Sequence, residues 1–314
     1  MELLKMKTES ATHSLLEQLL LDQVPQSYLP NPIFILGSPR TGSTFLYQVM
    51  ADIFELPFIS NLTNTYFAEN PIVGLALQRS MDVRMKYQSN FGKIQGELQP
   101  SEGSAVITRW FGGNQPSQTE STHIIDGQEE HFLETLAAVE WLYSEHPLLI
   151  KNAWNCFRVP YLSGVLKNAR FVWIRRDIAA TAESDLEARY ITKGSAALTW
   201  NSATPSNWRQ LQQLPAYQQV VENQFEFNKA IKNSLMEYAK GRYIEVWYED
   251  LVRAPAEELR KVGDFLQLKQ KKALAQGCVN EGMQPQIFHE EVLGVHDYLK
   301  DNNDRFKEYQ YARN

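Results

Sequence analysis

Cysteine is nearly absent: Cys156 and Cys278 are the only two in 314 residues. They stand far apart and in no metal-ligand spacing, which argues against a disulfide framework and for a reducing compartment, with both thiols serving as small buried hydrophobes. Long apolar runs are missing too. No stretch approaches the roughly 18–20 residues needed to span a bilayer. Met1 to Pro32 holds no apolar leader segment, so a cytoplasmic protein without a transmembrane segment is expected. Positive charge is not in surplus, because 31 Lys and Arg against 37 Asp and Glu leave a net charge of −6. That balance argues against nucleic acid as the main partner, and any anion site must be a local pocket. Internal repeats and low-complexity tracts are lacking as well.

What is present is the patterning of an α/β protein, at a length that suits one large domain spanning residues 1–314. Residues 11–22 predict a short amphipathic helix with Leu15, Leu16, Leu19 and Leu20 on its packed face. Ile33 to Leu36, Leu148 to Lys151, Arg170 to Ile174 and Arg242 to Tyr248 read as strands, the first three as short buried ones. Helical periods cover the residues after Ser43, His131 to His146, Val159 to Asn168 and Ala216 to Tyr238. Pro255 opens another helix, with Glu257 and Glu258 in its first turn. Strands separated by helices in this way predict a parallel sheet with right-handed crossovers. Residues 56–128 lack a clear period and mix glycines with isolated aromatics, the signature of a lid or binding region. The acceptor pocket is expected there.

The most informative stretch is the turn between the first strand and its helix, Gly37-Ser38-Pro39-Arg40-Thr41-Gly42. A glycine-bounded strand-to-helix loop aims backbone N–H groups at one point, at the positive end of the helix, and so cradles an oxyanion. The glycine spacing is that of an NTPase P-loop, but position 43 holds serine where a P-loop holds lysine. The cation sits inside the loop, at Arg40. A guanidinium stays protonated, so Arg40 can stabilise a departing oxygen but not protonate it. A second anion site is suggested by Arg176 at a strand end and Ser184 eight positions on, two helical turns into the next element. The two can converge on one phosphate.

Gly37 to Thr44 resembles the 5′-phosphosulfate loop of PAPS-dependent sulfotransferases, in the arginine version of bacterial and Golgi-type members. Further resemblance covers Lys151 to Ser184 and the segment Arg242 to Leu251 with the helix ending at Leu266. It implies a single-domain, P-loop-type three-layer α/β fold with a central parallel sheet flanked by helices. It also implies PAPS as sulfuryl donor, PAP as product and no metal, since a sulfuryl group carries one charge where a phosphoryl group carries several. The resemblance assigns Gly37, Ser38, Pro39, Arg40, Thr41, Gly42, Ser43, Thr44 and Phe45 to the donor's 5′ end and Arg176 and Ser184 to its 3′-phosphate. Arg40 and Lys151 would stabilise the leaving group. The acceptor it implies is a hydroxyl of a small molecule, lipid or glycan.

There are two departures. Ala153 stands where cytosolic members carry a catalytic histidine, and their basic glycine loop near the C-terminus has no counterpart beyond the charges of Lys300, Arg305 and Lys307. The acceptor hydroxyl needs a base within hydrogen-bond reach, and the candidates are Glu102, His123 and Glu69. Two other readings stay open. One is a P-loop nucleotide kinase, for which Asp177 alone is placed to hold Mg²⁺; the other is a non-catalytic module that binds PAP or PAPS.

Overall fold

The computed structural model describes residues 2–87, 94–113, 122–198, 203–274 and 289–312. Strands β1 (Ile33–Leu36), β2 (Leu149–Lys151), β3 (Arg170–Arg175) and β4 (Tyr243–Trp247) form one four-stranded parallel sheet in the order β2-β1-β3-β4. Helix α1 (Glu2–Leu21) precedes β1, and α2 (Ser43–Ile53) follows it. Between α2 and β2 come α3 (Asn61–Tyr66), α4 (Pro71–Arg79), α5 (Ser104–Phe111) and α6 (Glu129–Leu142). A 3-10 turn at Ala153–Phe157 and α7 (Val159–Val165) lead to β3, and α8 (Ile178–Lys193), α9 (Trp208–Leu211) and α10 (Ala216–Tyr238) lead to β4. Helices α11 (Tyr248–Arg253), α12 (Pro255–Leu266), α13 (His289–Asp301) and α14 (Asn303–Phe306) complete the order.

Ile35 pairs with Lys151 on one side and with Val172 on the other, so the C-terminal ends of the inner strands lie along one edge. The chain runs from β1 to β2 on one flank and then returns to β3 on the opposite flank. Such a reversal opens a crevice beyond the strand ends, where sheets of this kind bind ligands. Side chains alternate between the two faces. Phe34, Leu36, Ile150, Phe171 and Trp173 pack under α5, α6, α7 and α10, while Ile33, Ile35, Leu149, Val172 and Ile174 pack under α2 and α12. Helices cover both faces, as expected of three layers. No helix among the described residues is long and apolar enough to cross a membrane.

Helix α1 departs from its expected orientation. Leu15, Leu16 and Leu19 are exposed, and the buried residue of that turn is Glu17. Its carboxylate accepts from Ile72 N (3.1 Å) and Val73 N (2.9 Å), two N–H groups in the first turn of α4 that have no intrahelical partner. A periodicity reading assigns carboxylates to solvent and misses one that caps another helix. The described residues of the stretch 56–128 form loops and the three short helices α3, α4 and α5, in keeping with the long loops and short helices that its lack of a clear period suggests. Helix α6 begins two residues earlier than expected and ends at Leu142, where Ser144 and Glu145 take positive φ of 59° and 64°.

Glu140 on α6 is fully buried and accepts from Asn31 N (2.8 Å), Leu148 N (3.2 Å) and the Tyr28 hydroxyl (3.2 Å), tying α6 to the strands' entry points. Burial outweighs these bonds and raises its pKa to about 7. The folded state therefore holds this proton more tightly than the unfolded chain. The stabilisation is complete below the ordinary carboxylate range and is lost as pH rises toward 7. Unfolding measured from pH 5 to 7 should show stability falling, by on the order of 2 kcal/mol from this group. In Glu140→Gln that part of the slope should vanish, and an unchanged slope would assign it elsewhere.

Candidate active site

The loop after β1 is held by its carbonyls. Gly37 O accepts from the Cys156 thiol (3.4 Å), Ser38 O from Thr41 Oγ1 (2.8 Å), Pro39 O from Gln224 Nε2 (3.1 Å) and Arg40 O from Arg176 Nη1 (3.0 Å). Four consecutive carbonyls thus face protein donors. Burial pushes the Cys156 thiol up to about 12, so it serves as a neutral donor here. Cys278 lies outside the described residues.

Two backbone positions make this shape possible. Arg40 has φ of 73°, and Gly42, the N-cap of α2, has φ of 84°. A Cβ on Gly42 would stand 2.4 Å from Cδ2 of Tyr248, so the ring closes the loop from the side. Gly42→Ala combines that overlap with a left-handed backbone that alone costs about 1–2 kcal/mol. A lower melting temperature is expected, and a variant that melts as the wild-type chain does would show that the loop tolerates a side chain there.

Three predicted residues meet at this loop. Ser184 on α8 accepts from Arg40 Nε (3.0 Å), and Arg176 binds the Arg40 carbonyl with its guanidinium 4.8 Å above the Tyr248 ring. The neighbouring Arg175 points away. It pairs with Glu245 (2.7 Å), lies against Trp247 and Trp173, and donates to Glu308 O. Asp177 caps α8, accepting from Ala179 N (3.0 Å) and Ala180 N (3.1 Å), and its second oxygen accepts from Tyr311 N.

At the end of β2, Lys151 forms an ion pair with Glu102, the lysine largely enclosed and the carboxylate half-buried. Asn152 fixes the same segment by donating to Glu102 O (3.0 Å) while its own oxygen caps Trp154 N (3.0 Å). The other two candidate bases lie elsewhere. His123 is exposed, bonded to Thr122 and edge-on to Tyr161. Glu69 is solvent-facing and 3.7 Å from Arg109. Two of the three C-terminal cations are also engaged. Arg305 takes both oxygens of Glu222, and Lys307 lies near Asp304.

A family model described as "Sulfotransferase family" matches residues 32–272, which include the loop, β2, β3 and the start of α8. The chain belongs to the sulfotransferase family. Among solved structures, the sulfotransferase STF9 from Mycobacterium avium superposes with a TM-score of 0.50 at 14% identity, covering 90% of this chain and 70% of that one. A sulfotransferase from Alicyclobacillus acidocaldarius gives 0.48 at 13% identity, covering 90% of this chain and 95% of that one. The sulfotransferase domain of the Synechococcus PCC 7002 olefin synthase gives 0.43 at 20% identity, covering 88% and 98%. At these identities the likeness of STF9 speaks for the fold alone. A search among curated proteins finds no match.

The charge balance of this sulfotransferase's loop favours an anion. Burial lowers the Arg40 pKa, the negative charge of Asp185 opposes the shift and the positive charge of Arg176 adds to it. Two half-buried guanidiniums held close together are relieved by a bound oxyanion. Sequence reasoning missed Tyr248, Gln224, Asn152 and Cys156. Tyr248 directly follows a strand in an α/β sheet, which is the one signal that marked any of them. Gln224 lies within a long helix, where nothing in the pattern sets it apart.

Proposed function

We propose that this sulfotransferase moves the sulfuryl group of PAPS to a hydroxyl of a small-molecule, lipid or glycan acceptor and releases PAP. The support is the meeting of Arg40, Ser184 and Arg176 at one glycine-bounded loop. The residues fit the donor on two further counts. The loop's carbonyls are turned to protein donors, and the buried Ser38 hydroxyl has no hydrogen-bond partner among the described residues. PAPS supplies an activated sulfuryl group whose leaving group is a phosphate and needs charge stabilisation more than a proton.

The roles follow from position. The amides from Gly37 to Phe45 and the side chains of Ser43 and Thr44 hold the 5′ end, with Pro39 and Thr41 shaping the turn. Arg176 and Ser184 take the 3′-phosphate. Arg40 and Lys151 stabilise charge on the departing oxygen. Of the three candidate bases, Glu102 is the one that the fold brings to Lys151, so it is the group proposed to accept the acceptor's hydroxyl proton as that oxygen bonds to sulfur. His123 and Glu69 remain the weaker alternatives. The acceptor is proposed to enter past Glu102, from the side of α3 to α5, and the reaction is assigned to the cytoplasm. The test is PAP formation from PAPS over a panel of phenols, sugars and sterols in the presence of EDTA. Product that persists in EDTA supports the proposal, whereas chelator-abolished transfer from ATP instead would support the kinase.

A further inference from the structure

A cavity lies among residues of α8, α9 and α10 and the segment before α9. It is lined by Arg189, Thr204, Trp208, Leu211, Gln219 and Asn223, among others. Three of these carry polar atoms that are enclosed and have no hydrogen-bond partner among the described residues: Arg189 Nε, Thr204 Oγ1 and Asn223 Nδ2. Their residues are 1%, 5% and 7% exposed, so ordinary solvation does not explain them. Leaving such groups unpaired is costly, and three around one space mark a place built to be filled.

The chemistry of the missing partner can be read from these atoms. The arginine and amide nitrogens are donors, and the hydroxyl is able to donate, so the complement is a group rich in acceptor oxygens. Charge narrows it further. Arg189 donates to Ala196 O (3.0 Å) and Gln219 Oε1 (2.9 Å) and reaches its carboxylate partner Asp185 only at 3.5 Å. The same Asp185 also acts on Arg40. The long contact to Asp185 leaves the Nε–H of the Arg189 guanidinium unpaired among the described residues, a charged donor that suits one carboxylate oxygen. Trp208 and Leu211 supply an apolar wall beside the donors.

We propose that this cavity binds the carboxylate of a small ligand with an apolar body, either free or carried by the sulfate acceptor. The cavity is joined to the donor loop at two points. Asn223 faces the cavity while its neighbour Gln224 holds Pro39 O, and Asp185 faces Arg189 while its neighbour Ser184 holds Arg40. Occupancy should therefore be felt at the loop. The link to turnover rests on the donor reading above; the binding itself does not.

The probes are benzoate and benzamide, alike in shape and different in charge, titrated calorimetrically into the full chain. Benzoate should bind about tenfold or more tightly than benzamide, the worth of a hydrogen bond to a charged group. Thr204→Val and Asn223→Leu should each abolish most of that preference while PAP binding changes less than twofold. Both variants remove an unpaired buried polar atom, so their melting temperatures should not fall. Equal affinity for the two probes, no benzoate binding, or unaltered binding in both variants would overturn the site. So would a crystal soaked in benzoate that shows only ordered water there. Two sulfation acceptors, 4-hydroxybenzoate and 4-hydroxybenzamide, then separate the sources. Faster turnover of the acid with competition by benzoate makes the carboxylate the acceptor's own. An equal effect of benzoate on both acceptors makes it a separate ligand. Binding with no effect on either would remove the link to the donor loop.

Discussion

Arg40→Ala is expected to lower kcat by about 10²–10³-fold, the usual effect of removing one donor aimed at developing charge. PAP affinity should change far less, because the loop amides, Arg176 and Ser184 remain. The reason lies in how the side chain is held. Its Nε is anchored on Ser184, and the backbone places it inside the loop, beside the strand end rather than at the surface. The positive φ at this position offers a control. Glycine relaxes the backbone there and alanine does not, so Arg40→Gly and Arg40→Ala should lose turnover equally if charge is the cause. A large difference between the two would point to loop geometry instead. An unchanged rate in both would remove Arg40 from the chemistry.

Glu102→Gln is expected to lower turnover by about 10²–10⁴-fold, the range for a general base. PAP affinity should be kept. Glutamine preserves the shape and still accepts a hydrogen bond from Lys151, so the end of β2 and the Asn152 contact should survive. Alanine is the poorer test, since it leaves Lys151 enclosed without its partner. The same replacement at Glu69, and His123→Ala, should change turnover only a few-fold, given their contacts with Arg109 and Tyr161. Full activity in all three variants would reject the shortlist and require a base from another part of the chain.

The parts of this molecule that were legible in its sequence are those where local pattern and global position agree. Ile33 to Leu36 is a strand because it is a short run buried on both faces, and Gly42 ends the loop because only glycine fits against Tyr248 with that backbone. Arg176 and Ser184 were readable together because a strand end and two helical turns fix their relation. Arg175 was not separable from Arg176 by composition, yet strand alternation sends one to Glu245 and the other to the loop. The contacts that stayed hidden join residues far apart in the chain. Glu17 caps a helix more than fifty residues away, Gln224 reaches Pro39 from the middle of α10, and Glu222 takes up Arg305. A periodic pattern says which face of a helix is apolar; it does not say which distant backbone group a buried polar side chain will meet.

Calorimetry with two nucleotides separates a grip on both ends of the donor from a simple phosphate cradle. PAP and adenosine 5′-phosphate differ only in the 3′-phosphate proposed to meet Arg176 and Ser184. The wild-type chain should bind PAP more tightly by about 10–100-fold, the worth of charge-assisted hydrogen bonds to one phosphate. Arg176→Ala should bring the two affinities close together while leaving that for adenosine 5′-phosphate nearly as it was. Equal affinities in the wild-type chain, or a preference for PAP that survives Arg176→Ala, would contradict the donor assignment.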